Sequence, residues 1–409
     1  MNKRILTLVV ILLLTACSTA SPDMIESTAD ESIPTEEPSA SRTIPVDPDV
    51  EEPPPTIIIP STTATEQPVP AATPTAEFTF EIADSPMLTQ IEMLDPLNGW
   101  GQAEGMVLRT DDGGQTWFDV TPSDIFNNPA YAKSIFPDAQ NGWVLVEDYD
   151  NFNVGVLYQT IDSGRNWTWR NTPFGRSEIT FLDGEYGYAL TDLGAGAGSM
   201  GVAIWQTKNS GDDFNRVFLH ESGYDASLPL SGIKNGISFI DPQNGWVTGS
   251  QPQDAFIWFY RTRDGGFSWE HQILEMPVAY EEAQTSAYAP SFFENEQGLL
   301  PVYLHGEKST MVFYRTIDGG ENWDATQVLT ARGKYSIFSA NEIVVWDGGE
   351  TLSFSLDSGE SWQSRTTTWQ PLDTLRSLDF VSTTEGWALT DEGLYRTEDG
   401  GKNWEMLGN

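Results

Sequence analysis

Cysteine, histidine and positive charge are all scarce in this chain. Among 409 residues there are one cysteine and three histidines, and 21 lysines and arginines stand against 60 aspartates and glutamates. A single cysteine cannot form a disulfide within the chain, and His220, His271 and His305 lack the paired spacing of metal ligands. The net charge of −39 argues strongly against nucleic acid as a partner, because lysine and arginine side chains must neutralise its phosphates. The sequence therefore predicts no metal site and no cofactor.

Long apolar runs are also missing, with one exception at the start. Ile5 to Leu14 follows Lys3 and Arg4 and is too short to cross a membrane as a helix. The run ends in Leu14-Thr15-Ala16-Cys17, which resembles the lipobox of bacterial lipoproteins. That resemblance implies a signal peptide over residues 1–17 and acyl chains on Cys17, with an ordinary secretory signal as the alternative. We expect a membrane lipoprotein on the cell surface or the periplasmic side.

Residues 18–77 form a second region of unusual composition. They hold twelve prolines and twelve acids against the single base Arg42. Such a segment buries too little apolar area to offset the entropy lost on ordering. We expect a disordered acidic tether here, which holds the body of the protein, residues 78–409, away from the lipid.

What the chain has in abundance is one short motif: Thr or Ser, Asp two residues later, Gly two after that, and Trp three further on. It occurs seven times at a spacing of roughly 40–55 residues, typical of arrays of four-stranded units. Its acidic or amide positions are Asp112, Asp162, Asn209, Asp264, Asp318, Asp357 and Asp399. Its aromatic positions are Trp117, Trp167, Phe214, Trp269, Trp323, Trp362 and Trp404.

The motif predicts a tight turn between two strands. The aspartate is expected to accept a hydrogen bond from the N–H two residues on, and the glycine supplies a positive φ. The tryptophan is expected to pack between neighbouring units. Because seven copies cannot all be active sites, we interpret these aspartates and aromatics as structural. Short strands separated by even turns predict an all-β fold.

Two copies carry a family resemblance: Leu-Arg-Thr-Asp-Asp-Gly-Gly-Gln-Thr-Trp (108–117) and Tyr-Arg-Thr-Glu-Asp-Gly-Gly-Lys-Asn-Trp (395–404). They resemble the Asp-box, or BNR, repeat of sialidases, some glucanases, sortilins and, most closely, the photosystem II stability and assembly factors. Over residues 86–409 this resemblance implies a seven-bladed β-propeller of four-stranded antiparallel blades. The motif would join the third and fourth strands, and unit seven would pack on unit one. Phe78 to Ile82 are expected to add an outer strand to one sheet.

Several residues and segments have the chemistry of catalytic or ligand-binding groups. Arg109, Arg261, Arg315 and Arg396 hold one repeat position before the motif, so we interpret them as architectural and not as the arginines of a sialidase. Gly196 to Gly201 matches G-x-G-x-x-G, but a strand follows it, which indicates a hairpin tip and not a nucleotide site. Hydrolysis by two carboxylates stays open as the alternative, because acids are abundant.

The longest predicted loops all lie on one face of the array. They are 147–155, 192–201, 220–232, 250–256 and 274–290. Their aromatic and acidic residues define a candidate binding face: Asp148, Tyr149, Asp150, Phe152, Tyr224, Tyr280, Glu281, Glu282 and Tyr288. Such residues suit a basic protein surface or sugar rings. We interpret the segment from Asp148 to Asn153 as an exposed polar loop. The alternative is a loose calcium site, because its oxygen ligands are spaced like part of a calcium loop.

These observations predict a membrane-anchored, non-enzymatic scaffold that binds a protein partner or membrane complex outside the cytoplasm. The scaffolding role comes from the family resemblance alone. The alternative is a carbohydrate-binding or glycoside-hydrolysing surface protein of the sialidase or glucanase kind.

Overall fold

The computed structural model describes residues 80–123, 132–148, 150–223, 225–251, 256–306, 310–331 and 333–408. In these ranges the chain forms thirty β-strands and two short 3-10 turns, Val278–Tyr280 and Leu372–Thr374. Over the same ranges, no helix combines the length and apolarity needed to span a bilayer. The prediction of an all-β fold is confirmed.

Each copy of the motif lies in one unit of consecutive antiparallel strands, and we number these units 1 to 7. Unit 1 contains β1 (Glu81–Ile82), β2 (Leu88–Met93), β3 (Gly99–Ala103), β4 (Met106–Thr110) and β5 (Phe118–Asp119). Unit 2 contains β6 (Ala132–Ile135), β7 (Gly142–Glu147), β8 (Gly155–Thr160) and β9 (Thr168–Thr172). Unit 3 contains β10 (Ser177–Phe181), β11 (Gly187–Gly196), β12 (Ser199–Thr207) and β13 (Asn215–His220).

The remaining four units follow the same plan. Unit 4 contains β14 (Ile233–Phe239), β15 (Gly245–Gln251), β16 (Phe259–Thr262) and β17 (Glu270–His271). Unit 5 contains β18 (Gln284–Ala287), β19 (Ser291–Phe292), β20 (Gly298–His305), β21 (Thr310–Thr316) and β22 (Asp324–Ala325). Unit 6 contains β23 (Lys334–Ile337), β24 (Ile343–Trp346), β25 (Thr351–Ser355) and β26 (Gln363–Thr366). Unit 7 contains β27 (Leu375–Phe380), β28 (Gly386–Thr390), β29 (Gly393–Thr397) and β30 (Glu405–Met406).

Units 2, 3, 6 and 7 are separate four-stranded sheets, and unit 1 gains a fifth strand. Glu81 and Ile82 of β1 pair with Asp119 and Phe118 of β5, so the predicted outer strand joins the first sheet. Phe78 and Thr79 lie outside the described residues. The order β1-β5-β4-β3-β2 places β2 at the opposite edge, where the unit meets its neighbours.

Units 4 and 5 share a single nine-stranded sheet. They are joined because β18 of unit 5 pairs both with β20 of its own unit and with β15 of unit 4. The pairs between β15 and β18 are Ser250↔Ser286 and Gln251↔Thr285. The innermost strand of unit 5 is split into β18 and β19, with Pro290 between them. Proline cannot donate to a strand ladder, which accounts for an interruption at this point.

A Gly-Trp pair opens the second strand in most units, and packing explains both residues. A Cβ on Gly142 would lie 2.5 Å from the ring of Phe136, and one on Gly245 would lie 2.4 Å from Phe239. The tryptophan packs against the next unit: Trp100 of unit 1 stacks on Phe136 of unit 2 with ring centroids 4.4 Å apart. Phe136, which directly follows the first strand of unit 2, is thus held between Gly142 of the same unit and Trp100 of the preceding unit.

Unit 7 packs on unit 1. The indole Nε1 of buried Trp387 donates to Gly113 O at 2.9 Å, and Met93 N donates to Asp379 Oδ2 at 2.6 Å. One buried cluster spans both units: Ile91, Met93, Ala103, Leu108, Trp117, Trp387, Leu389, Leu394 and Leu407. Four-stranded antiparallel sheets whose last unit meets the first are consistent with a β-propeller.

Candidate functional site

The repeated motif is a closed set of local hydrogen bonds. In unit 1, Thr110 Oγ1 donates to Asp112 Oδ1 at 2.9 Å and accepts from Gly114 N at 2.8 Å, and Asp112 Oδ1 accepts from Thr116 N at 2.8 Å. The N–H of Gly114, two residues after the aspartate, therefore donates to the threonine. The prediction that the carboxylate of Asp112 would accept it is wrong, and that carboxylate accepts from the N–H of Thr116 instead. The positive φ of Gly113 and Gly114 turns the N–H of Gly114 back toward Thr110.

The same three contacts recur in every unit. The hydroxyl donors are Thr110, Thr160, Thr207, Thr262, Thr316, Ser355 and Thr397, and the side-chain acceptors are the seven Asp or Asn residues named above. At Asp318, desolvation opposes ionisation, but hydrogen bonds from Asn322 and Thr316 outweigh it and hold the pKa of the carboxyl below its usual value. The Oδ1 acceptor of each motif is thus occupied by donors from its own chain segment.

Asp318→Ala is expected to lower the free energy of unfolding by about 1–2 kcal/mol, because Asn322 N and Thr316 Oγ1 lose their acceptor. Asp318→Asn is the matched control and is expected to cost less than about 0.5 kcal/mol. Asn209 already fills this role in unit 3, where its Oδ1 accepts from Thr207 Oγ1 and Asp213 N. Denaturant unfolding measures both changes, and an alanine variant as stable as the parent would contradict the structural interpretation.

Two of the four repeated arginines lie over the tryptophan of their own sheet. Arg261 lies over the ring of Trp246 at 5.3 Å, and its Nη2 pairs with Glu321 Oε1 at 2.6 Å. Arg396 lies over Trp387 at 5.4 Å and pairs with Glu385 at 3.1 Å. Arg109 and Arg315 occupy the equivalent register, opposite Trp100 and Leu299. These arginines sit in separate units and do not converge on one anion.

The predicted binding-face residues of unit 2 form a self-contained loop. Asp148 Oδ1 accepts from Asp150 N at 2.8 Å and from Asn151 N at 2.9 Å, so its carboxylate caps a turn. The ring of Phe152 is 57% exposed. Tyr149 and Tyr224 lie outside the described residues. Across the described ranges, no three His, Cys, Asp or Glu side chains are grouped to hold a metal ion.

The other predicted residues lie before and within unit 5. Tyr280 ends the 3-10 turn and packs against a buried cluster of units 4 and 5, whereas Glu281 and Glu282 are exposed. Tyr288 lies beyond β18 and is 36% exposed. The structure thus distributes the predicted face over two regions, and Tyr288 is the one predicted residue that lines a cavity described here.

That cavity has a volume of about 330 Å³, and we call it the cleft between units 5 and 6, although Leu375 at the start of unit 7 also lines it. It is lined by Tyr288, Tyr303, His305, Gly333, Lys334, Trp346, Asp347, Leu372 and Leu375. The rings of Tyr288 and Tyr303 meet edge to face with centroids 5.5 Å apart, and Tyr303 Oη donates to Gly333 O. His305 Nε2 lies 2.9 Å from Ser286 Oγ.

The cleft combines an exposed aromatic ring with an imidazole, an ammonium group and a carboxylate. Burial raises the pKa of neighbouring Tyr335, and the fields of Tyr303 and Tyr288 add to that shift, so its phenol stays protonated. Such a surface can stack on an apolar or sugar ring and exchange hydrogen bonds with a polar ligand. Tyr303, His305, Lys334 and Trp346 were missed from the sequence because they lie in strands, where alternation indicates only packing.

A second cavity, of about 490 Å³, lies between units 1 and 7. Its apolar lining includes Leu88, Leu389, Leu394 and Leu407. No predicted binding-face residue reaches it. The charged residues Glu104, Arg376, Asp391 and Glu392 also line it, so its surface combines apolar and charged groups.

Comparisons with known proteins place these features on a familiar fold. No family model matches the chain. It is 23% identical over 313 residues to photosystem II assembly lipoprotein Ycf48 of Synechococcus sp. (strain CC9902), a match that covers 74% of this chain and 81% of the relative. It is 22% identical over 254 residues to a sortilin of Danio rerio, covering 60% of this chain. The matched region is 27% of that sortilin's length.

Solved structures give the same result for the fold. A YCF48 bound to a D1 peptide superposes with a TM-score of 0.51 at 18% identity, over 78% of this chain and 96% of that one. A GH74 xyloglucanase from Xanthomonas campestris superposes with a TM-score of 0.54 at 13% identity, over 81% and 56%. At these identities the structures establish a β-propeller fold, and the sequence match adds similarity to Ycf48 over most of both chains.

Proposed function

We propose that this chain is a membrane-anchored, extracytoplasmic β-propeller that binds a protein partner as a non-enzymatic assembly scaffold. The sequence similarity to a photosystem II assembly lipoprotein, over 74% of this chain and 81% of the relative, carries this proposal. Its seven motif-bearing units would form seven blades. Acylated Cys17 would hold the protein on the membrane, and residues 18–77 would tether residues 78–409.

The cleft between units 5 and 6 is the proposed binding site. A YCF48 was solved with a D1 peptide, so a related fold takes a protein segment as its ligand. In this chain Tyr288 presents an exposed ring beside Lys334 and Asp347, which suits a segment with both apolar and polar side chains. The net charge of −39 favours a partner with a basic surface.

Crosslinking and recovery of the full-length chain from host membranes tests the proposal. The parent chain is expected to recover one membrane complex, and Tyr288→Ala to recover it about tenfold less, since an aromatic anchor in an interface contributes roughly 1–2 kcal/mol. Phe152→Ala, at another exposed ring in unit 2, is the matched control and is expected to leave recovery unchanged. Equal recovery by Tyr288→Ala and the parent would show that the cleft is not the binding site.

A carbohydrate ligand is the second candidate, favoured by the aromatic lining of the same cleft. A glycan array probed with the full-length chain distinguishes the two. Saturable binding to one sugar polymer, with no membrane complex recovered, would favour a carbohydrate-binding function over the assembly scaffold. Hydrolysis of that polymer, abolished by Asp347→Asn, would make the protein an enzyme.

A further inference from the structure

A buried lysine lies where unit 3 meets unit 4. Lys234, in β14, is 4% exposed. Its Nζ has four backbone oxygens within hydrogen-bond distance: Met200 O at 3.0 Å, Leu230 O at 2.8 Å, Ser231 O at 3.1 Å and Gly232 O at 3.1 Å. Nζ also lies over the ring of Trp258, 5.0 Å from its centre. We call the four oxygens and this ring the carbonyl cage.

The carbonyl cage suits the charged form of the amine. An ammonium group has three N–H donors and no lone pair, whereas a neutral amine turns a lone pair toward oxygen atoms that repel it. The face of an indole ring attracts a cation as well. Burial lowers the pKa of Lys234 to about 7, and the carbonyl dipoles oppose that shift because they stabilise the ammonium form. Dipoles therefore hold this charge, whereas Lys133 of unit 2 pairs with the carboxylate of Glu178 at 2.6 Å.

Three of the cage oxygens belong to residues 226–232, the strap, which leads from unit 3 into β14. The fourth belongs to Met200, in the hairpin of β11 and β12. The strap and the hairpin are also joined by backbone hydrogen bonds, because Met200 N donates to Leu230 O at 2.9 Å and Gly232 N donates to Gly198 O at 2.8 Å. The ammonium group thus lies where the strap and the hairpin meet.

The strap also packs closely on unit 4. Trp258 Nε1 donates to Ser231 O at 2.9 Å, and Gly232 has a φ of 83°. A Cβ at Gly232 would lie 2.4 Å from Trp258 Nε1. The strap and the tip of the hairpin belong to 220–232 and 192–201, two of the five long loops predicted to share one face. The relative position of these two loops therefore depends on how the strap is held.

We propose that the carbonyl cage is a binding site for a primary ammonium group, that Lys234 fills it from within the chain, and that its charge fixes the strap against the hairpin and unit 4. Hydrogen bonds from a charged donor are about twice as strong as neutral ones. Without the ammonium group, the cage oxygens lose this donor while they stay out of water, which costs their desolvation. The two loops then lose their fixed position, whatever ligand the protein binds.

Chemical rescue of Lys234→Ala tests this proposal in the full chain. The substitution removes the atoms from Cγ to Nζ, which propylammonium reproduces, and 1-propanol has a similar shape without the charge. The Tm of the variant is expected to be about 4–6 °C below that of the parent. Propylammonium chloride at about 0.1 M is expected to restore about half of this loss, because a ligand of the folded state raises its stability. Equal concentrations of 1-propanol or sodium chloride are expected to restore less than about 1 °C.

Lys208→Ala, at an exposed lysine of unit 3, is the matched control. It is expected to change the Tm by no more than about 1 °C, with or without propylammonium. An alanine variant of Lys234 as stable as the parent overturns the proposal. Rescue by 1-propanol as large as that by propylammonium, or no rescue by either, also overturns it, because the site would then not recognise the charge.

Amide hydrogen exchange locates the effect and also covers the case in which the alanine variant does not fold. Lys234→Met keeps the apolar volume of the side chain and removes the charge. In this variant the protection of the Met200 and Gly232 amides is expected to fall about tenfold, because both N–H groups bond between the strap and the hairpin. Leu94, whose N–H donates to Asn98 O in unit 1, is the internal reference and keeps its protection. Unchanged protection at Met200 and Gly232 overturns the proposal.

Discussion

Trp387→Ala is expected to lower the free energy of unfolding by about 3–5 kcal/mol, the cost of removing a large aromatic residue from a packed core. The side chain of Trp387 is fully buried, and its Nε1 donates to Gly113 O in unit 1. Arg396 covers its ring. The substitution therefore removes a hydrogen bond, an apolar contact and the surface on which a guanidinium rests, all where the last unit meets the first.

Trp169→Ala is the matched control for this prediction. Trp169 lies in β9 and is 55% exposed. Its replacement is expected to change the free energy of unfolding by no more than about 0.5 kcal/mol. Denaturant unfolding, followed by circular dichroism, compares the two variants with the parent. If both variants lost the same small amount, the contact between units 7 and 1 would not contribute to stability.

Gly245→Ala is the second large effect, expected to cost about 2–3 kcal/mol. The added methyl group would lie 2.4 Å from the ring of Phe239. That ring cannot move away, because it stacks on Tyr188 with centroids 3.5 Å apart and meets the edge of Trp269. The overlap must therefore be relieved by shifting a strand, and the same unfolding measurement reports the loss.

Gly184→Ala controls for the loss of glycine itself. An added Cβ at Gly184 would have no atom within 4 Å. Its substitution is expected to be neutral or to raise stability by about 0.5 kcal/mol, because the unfolded chain loses freedom. A Gly245 variant that behaved in the same way would show that Phe239 does not need this glycine.

Local patterns gave a good account of the strands. The motif was predicted to turn the chain between two strands, and in unit 1 it lies between β4 at Met106–Thr110 and β5 at Phe118–Asp119. Strand period and turn chemistry are set by neighbouring residues, so a single sequence carries them. Even so, the motif's aspartate was assigned the wrong N–H, since the two successive positive φ values at Gly113 and Gly114 were not foreseen.

The candidate site was predicted only in part because it depends on contacts between units. Tyr288 was singled out from the sequence, but its neighbours Tyr303 and Trp346 belong to strands of two different units. Met93 and Asp379 are 286 residues apart, and their hydrogen bond forms only when unit 7 reaches unit 1. No local pattern records such a pairing. The division of a strand around Pro290 could not be predicted either, because β18 pairs with β15, which belongs to the preceding unit.

The joined sheet of units 4 and 5 bears on how such an array can change in evolution. In a repeat array each copy contacts only its neighbours, and five of the seven units here are separate sheets. Between β15 and β18 the neighbours are bound by backbone hydrogen bonds instead, and deleting either copy would expose an unpaired strand edge. We therefore expect residues 233–325 to be inherited, duplicated or lost as a pair of repeats, while the other copies can be exchanged one at a time.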